Sequence, residues 1–77
     1  MSRGSVAISS LPDGYKPSDM DNAGAPEYYG FIAAGGGWYI MRIAGGAEFR
    51  YTAGESDYTS AWAGRAGLTY GYLNEVF

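Results

Sequence analysis

The stretch "YYGFIAAGGGWYIMRI", Tyr28 to Ile43, reads as two strands joined by three glycines. Successive side chains of a strand leave opposite faces, so a strand wet on one side alternates apolar with polar residues. Neither strand here does so. Tyr28, Gly30 and Ile32 share one face of the first, and Tyr29, Phe31 and Ala33 share the other. In the second, Trp38, Ile40 and Arg42 alternate with Tyr39, Met41 and Ile43. The pattern calls for a hairpin covered on both sides.

The chain that must cover it has 77 residues. A domain of that size buries only about 60% of its unfolded surface and has a small core. With no cysteine, neither a disulfide framework nor a thiolate metal site is on hand to reinforce it. With no histidine, the commonest general base and metal ligand is missing. Small domains without such staples commonly draw stability from a partner or a second copy. That is a first candidate cover for the second face.

Composition points to an all-β chain. Glycine occurs 13 times, tyrosine eight times and aromatics make up 17% of residues, while leucine is scarce. Such a mixture suits short strands and tight turns better than a helical core. The formal charge is −3, made up of −2 in residues 1–27 (two cations, four acids) and −1 in 28–77 (three cations, four acids). The five cations are scattered, which argues against nucleic acid, whose binding rests on phosphate neutralisation. The start "MSRGSVAISSLPDG" lacks the apolar core of a signal peptide. No run approaches the roughly 20 apolar residues of a membrane span. The expectation is a product made soluble in the cytoplasm, with no membrane partner.

Residues 1–27 hold all three prolines and most of the serines, and read as an extended N-terminal arm or a disordered tail. Val6, Ala7 and Ile8 suggest a short strand that would form on docking. Residues 28–77 read as the β domain. Its strands are expected at 28–33, 38–43, 47–51 and 68–73, with glycine turns at 34–37 and 44–46. Tyr58, Ala61, Trp62 and Arg65 follow at helical spacing, predicting a short helix over 57–63 capped by Ser56 or Asp57. The fold class expected is a small antiparallel sheet or open barrel of about four strands, with one short helical turn and the arm.

Reaction chemistry finds little support. Ser, Thr, Tyr and Lys16 are the available nucleophiles, with no histidine to activate them. Glu48, Glu55, Asp57 and Glu75 fall in turns or on a polar face, where solvated carboxylates and caps are ordinary. A calcium site using Glu55 and Asp57 with Asp13, Asp19 and Asp21 is weakly signalled, because "DMDNAG" lacks the later glutamate of an EF-hand. "GGGW" has no following Lys-Ser/Thr and leads into a strand, so a phosphate loop is not indicated. No catalytic residue, cofactor or metal ligand is assigned.

The aromatics are the informative feature. Half could build a core while half lie on tolerated surface. They could stack sugars, as in a carbohydrate-binding module. They could also anchor subunits, since Tyr and Trp are enriched at the energetic centres of interfaces. The candidate interface residues are Tyr28, Tyr29, Phe31, Trp38, Tyr39, Tyr51, Trp62 and Tyr70. The order "YYGF…GGWYIMR…FRYTAG…SDYTSAW…R…LTYGY…EVF", over residues 28–77, resembles small uncharacterised virion structural proteins of tailed bacteriophages. That resemblance implies a virion component, such as a capsid decoration, head–tail or tail accessory subunit. It implies self-association or other virion proteins as partners, and no enzyme. A carbohydrate-binding β module, with a glycan as partner, is the alternative.

Overall fold

The computed structural model describes residues 14–77. Four strands form one antiparallel sheet in sequence order: β1 Tyr15–Asp21, β2 Glu27–Ala33, β3 Trp38–Ala44 and β4 Glu48–Gly54. Two short helices follow, α1 Tyr58–Ala63 and α2 Leu73–Val76, with a 3₁₀ turn at Arg65–Gly67 between them. The fold is all-β, a four-stranded open sheet with short helical pieces.

The turns explain the register. Between β3 and β4, Gly45 and Gly46 have φ of 62° and 76°, and Ala47 N–H donates to the Ala44 carbonyl at 3.2 Å. Two consecutive positive φ values define the primed turn whose twist suits a hairpin, and glycine adopts them without strain. The β2–β3 turn is closed by Ala33 N–H to the Gly37 carbonyl, 2.7 Å.

Two expectations are corrected. The fourth strand is not 68–73 but β1, which lies inside the stretch read as an arm. Pro17 fits there because β1 is an edge strand, and the register shifts between Pro17 and Asp19, bulging the strand at Ser18. Only residues 1–13 of the proposed arm, including Val6–Ile8, fall outside the described residues. The backbone of residues 68–72 pairs with the sheet at a single point, where Tyr51 and Gly71 exchange both hydrogen bonds at 2.8 Å. The chain then turns into α2, whose Glu75 carboxylate accepts from the Tyr72 N–H at 3.3 Å. The helix expected at 57–63 runs from Tyr58 to Ala63, but Asp57 takes a left-handed φ of 66° and its side chain makes no capping bond.

The core lies on one face, between the sheet and α1. Registry places Tyr28, Ile32, Trp38 and Ile40 together there, with Tyr58 set against them. Ile40 is fully buried, and Ala61, Trp62, Leu68 and Tyr70 close the rim. Polar bonds clip this layer to the edge strand. The Tyr58 hydroxyl donates to Asp19 Oδ2 at 2.8 Å, and Arg65 Nη2 pairs with Asp21 Oδ2 at 2.8 Å.

Gly30 makes the close approach possible. A Cβ there would collide with the Tyr58 hydroxyl, lie 2.9 Å from its Cζ and 3.0 Å from Trp62 Cε3. Gly30→Ala is therefore expected to cost about 1–3 kcal/mol, as overpacking does. Tyr58→Phe, which removes the colliding oxygen, should recover part of that loss in the double variant. Urea unfolding of the two single variants and the pair measures it. Additive losses would refute the contact.

Candidate functional site

The other face of the sheet is where the sequence left its question. Alternation sends Tyr15 and Met20 of β1, Tyr29 and Phe31 of β2, Tyr39, Met41 and Ile43 of β3, and Phe49 and Tyr51 of β4 to this side. Among the described residues no helix lies across it as α1 lies across the first. Its centre is filled by the aromatics themselves. Tyr39 is only 3% exposed. Its ring stacks on Phe31 at 4.6 Å, with Tyr15 edge-on at 5.2 Å and Phe77 edge-on at 5.3 Å. Offset and edge-to-face pairs of this kind contribute beyond their buried area. Burial also pushes the Tyr39 hydroxyl pKa up.

Around that centre the face opens to solvent. Met20 is 63% exposed, Phe49 46% and Phe77 47%. A shallow groove of about 600 Å³ runs between β4 and α2, lined by Phe49, Tyr51, Tyr72, Leu73, Asn74 and Phe77. A second, of about 300 Å³, lies beside the β1 bulge, between Met20, Tyr29 and Phe31. Native surfaces seldom leave contiguous apolar patches uncovered without a use.

Charge is segregated between the two faces. Lys16, Arg42 and Arg50 all belong to the α1 side by register, and Arg65 reaches it from above. On the aromatic side the strands between Tyr15 and Gly54 place one formal charge, Glu27, whose carboxylate accepts from the Tyr29 hydroxyl at 2.6 Å. That bond is the main reason the Tyr29 pKa is raised.

The eight candidate interface residues thus divide by face. Tyr28 and Trp38 are buried in the chain's own core, and Trp62 and Tyr70 pack against it. Tyr29, Phe31, Tyr39 and Tyr51 lie on the aromatic face, Tyr39 at its buried centre. Met20, Met41, Ile43 and Phe49 join them there; Met41 and Ile43 were signalled by their alternation with Trp38, Ile40 and Arg42. Tyr15 sits in a polar stretch that gave no such sign.

On the core side, arginines lie over aromatic rings. Arg42 is 4.6 Å from the Tyr70 ring centre, Arg50 is 4.2 Å from that of Tyr72, and Arg65 is 4.4 Å from that of Trp62. Two tyrosines of this layer hold their protons tightly. Burial, then the bond to Asp19, pushes the Tyr58 pKa to about 12, and burial pushes Tyr70 to about 12. In the unfolded chain both ionise near 10. The folded state therefore keeps protons that the unfolded state loses, so stability is intact below about pH 10 and falls as pH rises toward 12. We expect the melting temperature to drop steeply across that window, and Tyr58→Phe to flatten the slope. An unchanged melting temperature from pH 10 to about 12 would contradict it. On the acid side the sign reverses. The hydrogen bond from Arg65 holds the Asp21 carboxyl below its usual range, and its contribution fades as pH falls through that lowered pKa.

Among the described residues, no group of three or more His, Cys, Asp or Glu is placed to hold a metal, and no helix is long and apolar enough to cross a membrane. Compared with protein-family models, curated proteins and solved structures, the chain matches none.

Proposed function

We propose that this chain is a non-enzymatic assembly protein that packs against further copies of itself through the aromatic face of its sheet. The observation that carries the reading is an apolar sheet face with a single formal charge among its strand residues, opposite a core that, among the described residues, has four buried hydrophobic side chains. A core so small gains much from further burial. A face with one acid and no cation can meet its own copy without strong like-charge repulsion. Pairing by strand edges is less favoured. β1 carries Pro17 and a bulge, and β4 is covered at Tyr51 by Gly71.

The wider setting we propose is a multi-copy virion component of a bacteriophage: a capsid decoration, head–tail or tail accessory subunit. The sequence resemblance and the small two-sided sheet support it. Residues 1–13 would act as the arm that reaches a neighbour. Truncation to test the arm must stop before Tyr15, because removing β1 would strip the acids that hold α1.

A carbohydrate-binding module is the second reading, favoured by the β4–α2 groove with its exposed aromatics and Asn74. Sedimentation of the native chain separates the two. Assembly predicts a multimer that Ile43→Ser with Phe49→Ser converts to a folded monomer. A wild-type chain that stays monomeric at its solubility limit would refute assembly, and glycan binding lost in Tyr72→Ala would install the alternative.

A further inference from the structure

Arg42 and Arg50 are direct cross-strand partners on the α1 side of the sheet. Like charges directly opposite one another on neighbouring strands repel. Among the described residues neither is paired with an acid, since the single ion pair there joins Arg65 to Asp21. Glu48, on the same face of β4, bridges neither. Each guanidinium is instead backed by an aromatic ring, Tyr70 behind Arg42 and Tyr72 behind Arg50. A ring covers the flat side of a guanidinium and leaves its N–H edge to find an acceptor. Arg42 Nε, like Arg65 Nε, is shielded from solvent and has no acceptor among the described residues, so an anion would meet the Nη edge of Arg42. Arg50 spends Nη1 on its neighbour's carbonyl, Phe49 O at 3.0 Å, and reaches the Tyr72 hydroxyl only at 3.4 Å.

We propose that Arg42 and Arg50 together hold an oxyanion, the carboxylate, sulfate or phosphate group of a ligand. One anion between them would turn a repulsive pair into two charge-assisted attractions. The forked donors of arginine suit a planar or tetrahedral oxyanion, where a lysine would offer only a point charge. Tyr70 and Tyr72 fix the two forks from behind, so the site is arranged before the anion arrives. Arg65 is excluded from it, because its head group is already bound to Asp21 and to the Trp62 carbonyl at 2.8 Å. Arg42 and Arg50 lie by register on the opposite side of the sheet from the assembly face, and Tyr72, at the edge, is shared between this site and the β4–α2 groove.

The test is a titration of the full-length ¹⁵N-labelled chain with sodium sulfate, sodium phosphate and sodium acetate, at ionic strength held constant with chloride. The arginine side-chain N–H signals are followed by NMR. Saturable shifts at Arg42 and Arg50 with Arg65 unmoved are expected, together with a rise in melting temperature. Binding of sulfate and phosphate but not acetate would assign a phosphoryl or sulfuryl ligand, and acetate binding as well a carboxylate. Arg50→Gln, at a partly exposed position, should weaken binding roughly tenfold or more, the loss expected for a hydrogen bond to a charged group. Arg42→Lys, which keeps the charge but not the fork, should weaken it too. Shifts that grow linearly with salt, that appear equally at Arg65, or that survive unchanged in Arg50→Gln would overturn the proposal.

Discussion

Trp38→Ala is expected to remove a large share of the molecule's margin of stability. The indole is 7% exposed and sits at the start of β3, where three elements converge on it. Gly54, its cross-strand partner, has no side chain because the ring lies across it: a Cβ there would stand 2.6 Å from Trp38 Cε2. Tyr58 of α1 packs on it, ring centres 6.3 Å apart, and Nε1 donates to the Ser56 carbonyl at 2.6 Å. One side chain therefore fixes β4, the loop after it and the helix. Removing a buried tryptophan costs about 3–5 kcal/mol. A chain of this length has a total stability on the order of 4–12 kcal/mol. The melting temperature should fall by roughly 15–30 °C, with a lower denaturant midpoint in urea. Trp38→Phe should fall between the two. If Trp38→Ala melts within a few degrees of wild type, the layer between sheet and α1 is not the core.

Much of this arrangement was legible in the sequence, and the exceptions have physical causes. The double-faced hairpin, its glycine turns and the short helix near 58–63 follow from side-chain period and turn chemistry. β1 did not, because "YKPSDMD" offers no apolar alternation and contains a proline. Its strand is held by partners more than 30 residues away: Tyr58 bonds Asp19, and Arg65 bonds Asp21. Acids that look like a solvated loop are here the pins of an edge strand. "LTYGYL" misled in the opposite way. Leu68 and Tyr70 do alternate toward the core, but the backbone ladder amounts to one exchange at Gly71. Periodicity reports which way a side chain faces, not whether a neighbouring strand is there to pair. The arginine stacks were invisible for the same reason, since Arg42 meets Tyr70 across 28 positions of sequence and Arg50 meets Tyr72 across 22.

The aromatic count has an answer of the same kind. Eleven aromatics lie between Tyr28 and Tyr72, and the chain separates most of its rings between two layers. One is closed by α1. The other closes only at its centre, because among the described residues the sole helix on that side is the four-residue α2 beside β4. The hairpin is apolar on both faces because both are packed from within the chain, though unequally.

That inequality makes a second large effect measurable. Tyr39→Ala is expected to cost about 3–5 kcal/mol, as much as a residue of the first layer, although no helix covers it. Its ring is the hub on which Tyr15, Phe31, Tyr51 and Phe77 converge, so the loss frees four neighbours at once. Phe49→Ser, on the same face but 46% exposed, should lower the stability of the isolated chain by no more than about 1 kcal/mol. Urea unfolding at concentrations low enough to keep the chain monomeric compares the two without contributions from association. The contrast draws the boundary between what the chain covers for itself and what it offers to a neighbour. If Tyr39→Ala proved as mild as Phe49→Ser, the ring cluster would contribute nothing internal, and the whole face would be free surface. If Phe49→Ser proved as severe as Tyr39→Ala, the rim would already be part of the core, leaving too little apolar surface for a second copy to grip.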